Sequence, residues 1–200
     1  MIVALTGGMG CGKSLALKYF GELGWKTLSA DAVNREIYTR HEGFREELRK
    51  RWGDRIFGED GGIDRRRVAD IVFEQPEELE WLNGILHPMI RDHAETWFAA
   101  APEQDHVFEV PLLYESRWHV HYETVVCVWS APKIVRERLH GRGLDDAEIE
   151  RRMKFQMPAD EKLERADFGL INNGPPNELY QQCNELSKQL KEKIWKSKSS

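Results

Sequence analysis

The chain has 200 residues, 40% of them hydrophobic and 32% charged, with a net charge of −5. This composition describes a globular protein with a real core and excludes a disordered or fibrous chain. The acidic balance argues against general nucleic-acid binding, which needs a broadly basic face, so an anionic ligand must be met by local basic clusters.

No apolar run reaches membrane-spanning length, and no membrane partner is expected. Cys11, Cys127 and Cys183 are too few and too scattered for a disulfide framework or a zinc site. Met1 leads straight into a strand-like segment, so no targeting peptide is expected and the cytoplasm is the expected location.

In chain order, Ile2–Thr6 is a short apolar run ending in glycines, which reads as a buried parallel strand. Leu15, Ala16, Tyr19, Phe20 and Leu23 then recur at helical spacing, with Gly24 as the stop. Residues 25–30 read as a second strand ending at Asp31. From there to about Ala101 the pattern is helical nearly throughout, interrupted at 57–62 and at His87–Pro88. Strand patterns return at 106–110, 124–129 and 168–172, with helical patterns at 132–141 and 145–156 between the last two. The alternation predicts an α/β fold: a doubly wound, five-stranded parallel sheet built from 1–33 and 102–200, with a helical insertion at 34–101. The polar, basic tail 191–200 reads as the frayed end of a last helix.

Between the first strand and first helix lies Gly7-x-x-x-x-Gly12-Lys13-Ser14, the P-loop pattern in its required setting. Glycines here free backbone N–H groups to turn around phosphate oxygens, and the helix start adds its positive dipole end. Gly8, Met9, Gly10, Cys11, Gly12, Lys13, Ser14 and Leu15 are therefore the candidate ATP-binding residues. Lys13 also serves catalysis by reaching the β- and γ-phosphates, and the Ser14 hydroxyl is a ligand for Mg²⁺. Cys11 admits two readings: a thiol made reactive by the helix start and Lys13, or a small filler whose backbone alone matters. The P-loop by itself leaves GTPases, ATPases and small-molecule kinases open. An Asn-Lys-x-Asp guanine-reading motif is not found in the sequence.

"ALTGGMGCGKS", "SAD" at 29–31, "GIDRRRVADIVF" at 62–73, "LHPMI" at 86–90, "VPLLYE" at 110–115, "QMPADEK" at 156–162 and "ADFGLINNG" at 166–174 run nearly the length of the chain. In this order they resemble the dephospho-coenzyme A kinase family. The resemblance implies a P-loop kinase fold and ATP- and Mg²⁺-dependent phosphorylation of the ribose 3′-hydroxyl of dephospho-CoA, with a monomer expected. It implies that Asp31 accepts the hydroxyl proton; a helix cap for the segment starting at Ala32 is the alternative. It implies a lid at 134–160 whose Arg138 and Arg142, four apart and so on one helix face, close over the triphosphate. A solvated face is the other reading. Arg65, His87 and Leu112 are the implied acceptor contacts, and Asn173 falls in an adenine-proximal loop, helix capping being its alternative. His87 also reads as a structural histidine closing a helix turn.

Glu109 ends the third strand, where P-loop enzymes carry a carboxylate for the metal or its waters; a surface acid is the alternative. Glu115 is a second candidate. Phe73, Trp81 and Trp97 are candidate adenine neighbours or plain core aromatics. The sequence departs from the family pattern at Ser29, Asn83 and Val135, which bears on fine acceptor contacts. Two rival readings stand beside this one: a P-loop kinase for another small hydroxyl acceptor such as a nucleoside or nucleotide, and a non-enzymatic ATP-dependent switch.

Overall fold

The computed structural model describes the backbone of residues 1–198 and the side chains of residues 1–192. Two compact units emerge, one from residues 1–29 with 102 onward, the other from Ala30–Ala101. Among the described residues, no helix is long and apolar enough to cross a membrane.

The first unit is built on five parallel strands, β1 (Ile2–Gly7), β2 (Lys26–Ser29), β3 (His106–Glu109), β4 (Thr124–Trp129) and β5 (Phe168–Ile171), in spatial order β2-β3-β1-β4-β5. Val3, Leu5, Val107, Val126 and Val128 are buried, as the continuous apolar runs require of strands covered on both faces. Helix α1 (Lys13–Glu22) covers the sheet with Ala16 and Phe20. The C-terminal helix runs Pro176–Lys198 and adds Leu179, Cys183, Leu186 and Leu190, a stripe at helical spacing. Trp25 anchors against this helix, its indole N–H donating to Ser187 Oγ at 2.8 Å. Residues 199–200 of the tail lie outside the described residues, as do the side chains from 193 onward.

In the register, Leu5 faces Glu109, Ser29 faces Glu109, and Gly7 faces Val128. One sheet edge, at the carboxyl ends of the strands, therefore gathers Gly7, Glu109, Ser130 and Asn172. Ligands of open parallel sheets bind at that edge.

The second unit holds α2 (Ala30–Arg40), α3 (Glu42–Trp52), α4 (Arg65–Glu74) and α5 (Pro76–Ala99). The 57–62 interruption is a closed loop: Phe57 bridges Ile63, Gly61 N donates to the Gly58 carbonyl, and Asp64 caps α4 by accepting from the Arg66 and Arg67 amides. The expected break at His87–Pro88 does not occur. Helix α5 runs through Pro88 for 24 residues, because Leu82, Leu86, Ile90, Ala94 and Phe98 form one buried row that spans the proline. The proline ring meets the carbonyl four residues earlier. That residue is Gly84, where an added Cβ would meet nothing within 4 Å outside the helix's own backbone.

Other boundaries also shift. β2 ends at Ser29, and α2 begins at Ala30. In the first unit, α6 (Pro132–His140) and α7 (Asp146–Met153) are shorter than their sequence patterns, and a further helix, α8 (Ala159–Arg165), precedes β5. Gly141 and Gly143 follow α6, and the Asp145 carboxylate caps α7 by accepting from the Glu148 amide.

Candidate active site

The loop from β1 to α1 has three glycines that no other residue can replace without strain: Gly7, Gly10 and Gly12, with φ of 148°, 79° and 100°. A Cβ on Gly7 would overlap the Val128 carbonyl, and one on Gly12 would overlap the Asn172 amide. The loop backbone is thus packed against β4 and against the residue that follows β5, and within the loop the Cys11 amide donates to the Gly8 carbonyl at 3.3 Å. Lys13 Nζ folds back to the Gly8 carbonyl at 3.0 Å. Ser14 is exposed at the start of α1. Met9 and Leu15 are half-buried and Gly8 is buried.

Cys11 is fully buried. Burial pushes its thiol up, outweighing the opposite pull of backbone hydrogen bonds, Lys13 and Arg138. The reactive-thiol reading therefore does not hold. Its carbonyl accepts from Asn172 Nδ2 at 2.8 Å and Ser130 Oγ at 3.2 Å.

A cavity of about 300 Å³ opens over the loop, lined by Gly10, Gly12, Lys13, Ser14, Arg138 and Arg142, together with Asn172. Four of the residues assigned from sequence to phosphate chemistry, Lys13, Ser14, Arg138 and Arg142, thus share one space. The two arginines are held differently. Arg138 is braced, donating to Ser130 Oγ at 3.0 Å and to the Asn172 carbonyl at 2.9 Å. Arg142 does not share a helical face with it, because α6 stops at His140; it sits in the following turn, its amide bonded to the Leu139 carbonyl. Val135 packs over Gly10 from the same helix. Arg136 ties α6 to α7 through Asp146 and Glu150.

Asn173 does not line this cavity. Its Oδ1 accepts the Ala131 amide at 2.8 Å, at the cap of α6, so the capping alternative describes its side chain. Asn172, beside it and 4% exposed, is the residue that faces the loop. Sequence reasoning missed both Asn172 and Ser130. Their signal was position, each lying immediately beyond a strand at the ligand-binding edge.

Glu109 is 4% exposed, so it is a buried strand-end carboxylate rather than a surface acid. Glu115 is engaged elsewhere, its Oε1 pairing with the fully buried Lys162 at 2.8 Å. Leu112, between them, is 40% exposed.

In the second unit, Asp31 lies in the first turn of α2, exposed, and does not stand as a cap before Ala32. Arg65 is exposed at the start of α4 with its guanidinium 5.1 Å from the centre of the Tyr38 ring. Burial pushes the Tyr38 hydroxyl up to about 12, with Arg65 pulling the other way. Arg67 is the arginine of that run bound to protein carbonyls, donating to Phe57 at 2.8 Å. His87 is half-buried, and burial lowers its pKa; because α5 continues past it, it closes no turn. Trp81 packs edge-on to Trp52 at 5.2 Å, while Phe73 is 61% exposed.

A five-stranded parallel sheet with a P-loop at its central strand, facing two cavity arginines, defines a P-loop kinase. The dephospho-CoA kinase family model matches residues 1–178, and the chain belongs to that family. A dephospho-CoA kinase of Aquifex aeolicus is 34% identical over 94% of this chain and 96% of its own. The crystal structure of TT1252 from Thermus thermophilus is 29% identical with a TM-score of 0.84, covering 95% of this chain and 97% of that one. A dephospho-CoA kinase structure from Campylobacter jejuni shares the fold, with a TM-score of 0.70 at 23% identity, over 94% of this chain and 96% of that one.

Proposed function

We propose that the chain transfers the γ-phosphoryl group of ATP to the ribose 3′-hydroxyl of dephospho-CoA, giving ADP and coenzyme A. The observation that carries this reading is the cavity joining Lys13, Ser14, Arg138 and Arg142 in a chain matched by the family model over residues 1–178. The acceptor oxygen forms its bond to Pγ as the bond to the β–γ bridging oxygen breaks. Backbone amides of Gly8–Ser14 and the Lys13 ammonium hold the phosphates, and Arg142 and Arg138 spread the charge on the transferred group. Asp31 orients the 3′-hydroxyl and receives its proton.

The donor set suits Mg²⁺, since Ser14 and Glu109 offer hard oxygens and this ion keeps few protein ligands beside phosphates and water. Bound with ATP, Mg²⁺ would neutralise charge on the β- and γ-phosphates. Arg65 and His87 contact the acceptor, and Leu112 is a further acceptor contact. Residues 134–160 act as the lid over the donor, and Asn173 sets the loop near adenine. The protein works as a cytoplasmic monomer on small molecules.

Purified protein with Mg-ATP and, separately, dephospho-CoA, adenosine or AMP tests the reading through ADP release. Rapid turnover with dephospho-CoA alone is the expected result. Equal or faster turnover with adenosine or AMP refutes the acceptor, and none with any acceptor refutes the reaction.

A further inference from the structure

Lys162, on α8, is 0% exposed and lies outside the phosphate cavity. Its Nζ donates to the Pro111 carbonyl at 2.7 Å and pairs with Glu115 Oε1 at 2.8 Å. The same carboxylate oxygen accepts the Met157 amide at 2.8 Å, and the Pro111 carbonyl also accepts the Thr6 hydroxyl at 3.4 Å. One ammonium group thus joins the end of β1, the segment leaving β3, and the connector between α7 and α8. A buried charge is costly, and an apolar residue of similar size would fill the space at less cost, so packing alone does not account for it.

The segment it grips has no regular structure of its own. After Val110 bonds to Leu5, residues 111–117 form successive turns, held by Ser116 Oγ donating to the Leu112 carbonyl at 2.7 Å and by Trp118 N donating to the Leu113 carbonyl at 2.9 Å. Within it, Leu113 is fully buried while Leu112 is 40% exposed. A small rotation of the segment would move the exposed leucine, and the Lys162 clamp fixes both of its ends, at Pro111 and Glu115.

We infer that Lys162 and Glu115 are positioning residues for the acceptor: their ion pair holds the 111–115 turn so that Leu112 is presented to dephospho-CoA. The inference rests on the reading of Leu112 as an acceptor contact. The polar partners of Lys162, Pro111 and Glu115, are not among the residues lining the phosphate cavity, so the effect on acceptor binding should exceed that on donor binding.

The test is steady-state kinetics of the purified full chain with Mg-ATP and dephospho-CoA. Lys162→Met with Glu115→Gln removes both charges together, which avoids leaving one buried and unpaired. Glu115→Gln alone, which keeps an oxygen for the Met157 amide, is the second variant. The expected result in a folded variant is an acceptor KM raised about fivefold or more, as loss of one well-placed apolar contact gives, with ATP KM and kcat close to wild type. Wild-type acceptor KM in either folded variant overturns the clamp, as does a fall in kcat with every KM unchanged. Leu112→Ala separates the underlying reading. If it leaves acceptor KM unchanged while the charge-pair variant raises it, the Leu112 contact fails and the clamp stands. The reverse pattern sinks the clamp and keeps the contact.

Discussion

The side-chain amide of Asn172 donates to the Cys11 carbonyl at 2.8 Å, while the backbone carbonyl of the same residue accepts from Arg138 at 2.9 Å. One position at the end of β5 therefore braces both the phosphate loop and an arginine of the cavity. In Asn172→Ala, the Cys11 carbonyl keeps only Ser130, and Arg138 loses its contact with Oδ1. A buried bond lost in this way costs about 1–3 kcal/mol. We expect a lower urea midpoint and a severalfold weaker ATP affinity by calorimetry, with acceptor KM near wild type. Unchanged ATP affinity in the folded variant would show that the brace has no bearing on nucleotide binding.

Gly7 and Gly24 both have positive φ, yet alanine should affect them very differently. At Gly7 the new methyl would overlap the backbone oxygen of Val128, its register partner in β4, and neither strand can yield without breaking the ladder. At Gly24 there is open space around the position, leaving only the left-handed strain of about 1–2 kcal/mol. Gly7→Ala should fail to bind ATP or fail to fold, whereas Gly24→Ala should bind ATP normally with a modestly lower melting temperature. Comparable losses in the two variants would contradict this account.

The fold was legible where composition and local periodicity coincide. Val3, Leu5, Val126 and Val128 are apolar because their strands are covered on both faces, so the runs announce themselves. Pro88 misled because a local rule was overridden by a buried row of side chains on a helix that packs against α4 and α2. The phosphate loop was legible because its chemistry is backbone chemistry, which glycine spacing reports directly. Asn172, Ser130 and Lys162 were not. Their roles depend on which carbonyls lie nearby across 119 to 161 residues of sequence for the first two, and 51 for Lys162, and residue type alone carries no trace of that.

The three free thiols, Cys11, Cys127 and Cys183, are all buried, and burial pushes Cys127 and Cys183 up to about 12. The thiolate is the reactive species, so a raised pKa and lack of access act together. Native protein at near-neutral pH should show no fast-reacting group with a thiol-disulfide exchange reagent, and all three should react once it is denatured. A rapid phase lost in Cys11→Ser would restore the reactive reading of the loop cysteine.

His87 carries a pH dependence whose sign can be worked out. Burial on α5 lowers its pKa below the ordinary 6.5, so the unfolded chain takes up this proton at a higher pH than the folded one does. Stability rises with pH wherever the unfolded state binds more protons. The contribution is therefore complete above the unfolded value and is lost as pH falls through the folded one. His87→Gln removes this titration and keeps a side chain of comparable polarity. Between about pH 7 and about pH 5, the range in which histidine titrates, the urea midpoint of the wild type should fall further than that of the variant. Because the group is only half-buried, the difference should be a fraction of the total pH effect, the remainder coming from other titrating groups. Parallel pH profiles for the two proteins would mean that His87 titrates alike in the folded and unfolded chains, and that its burial on α5 carries no charge penalty.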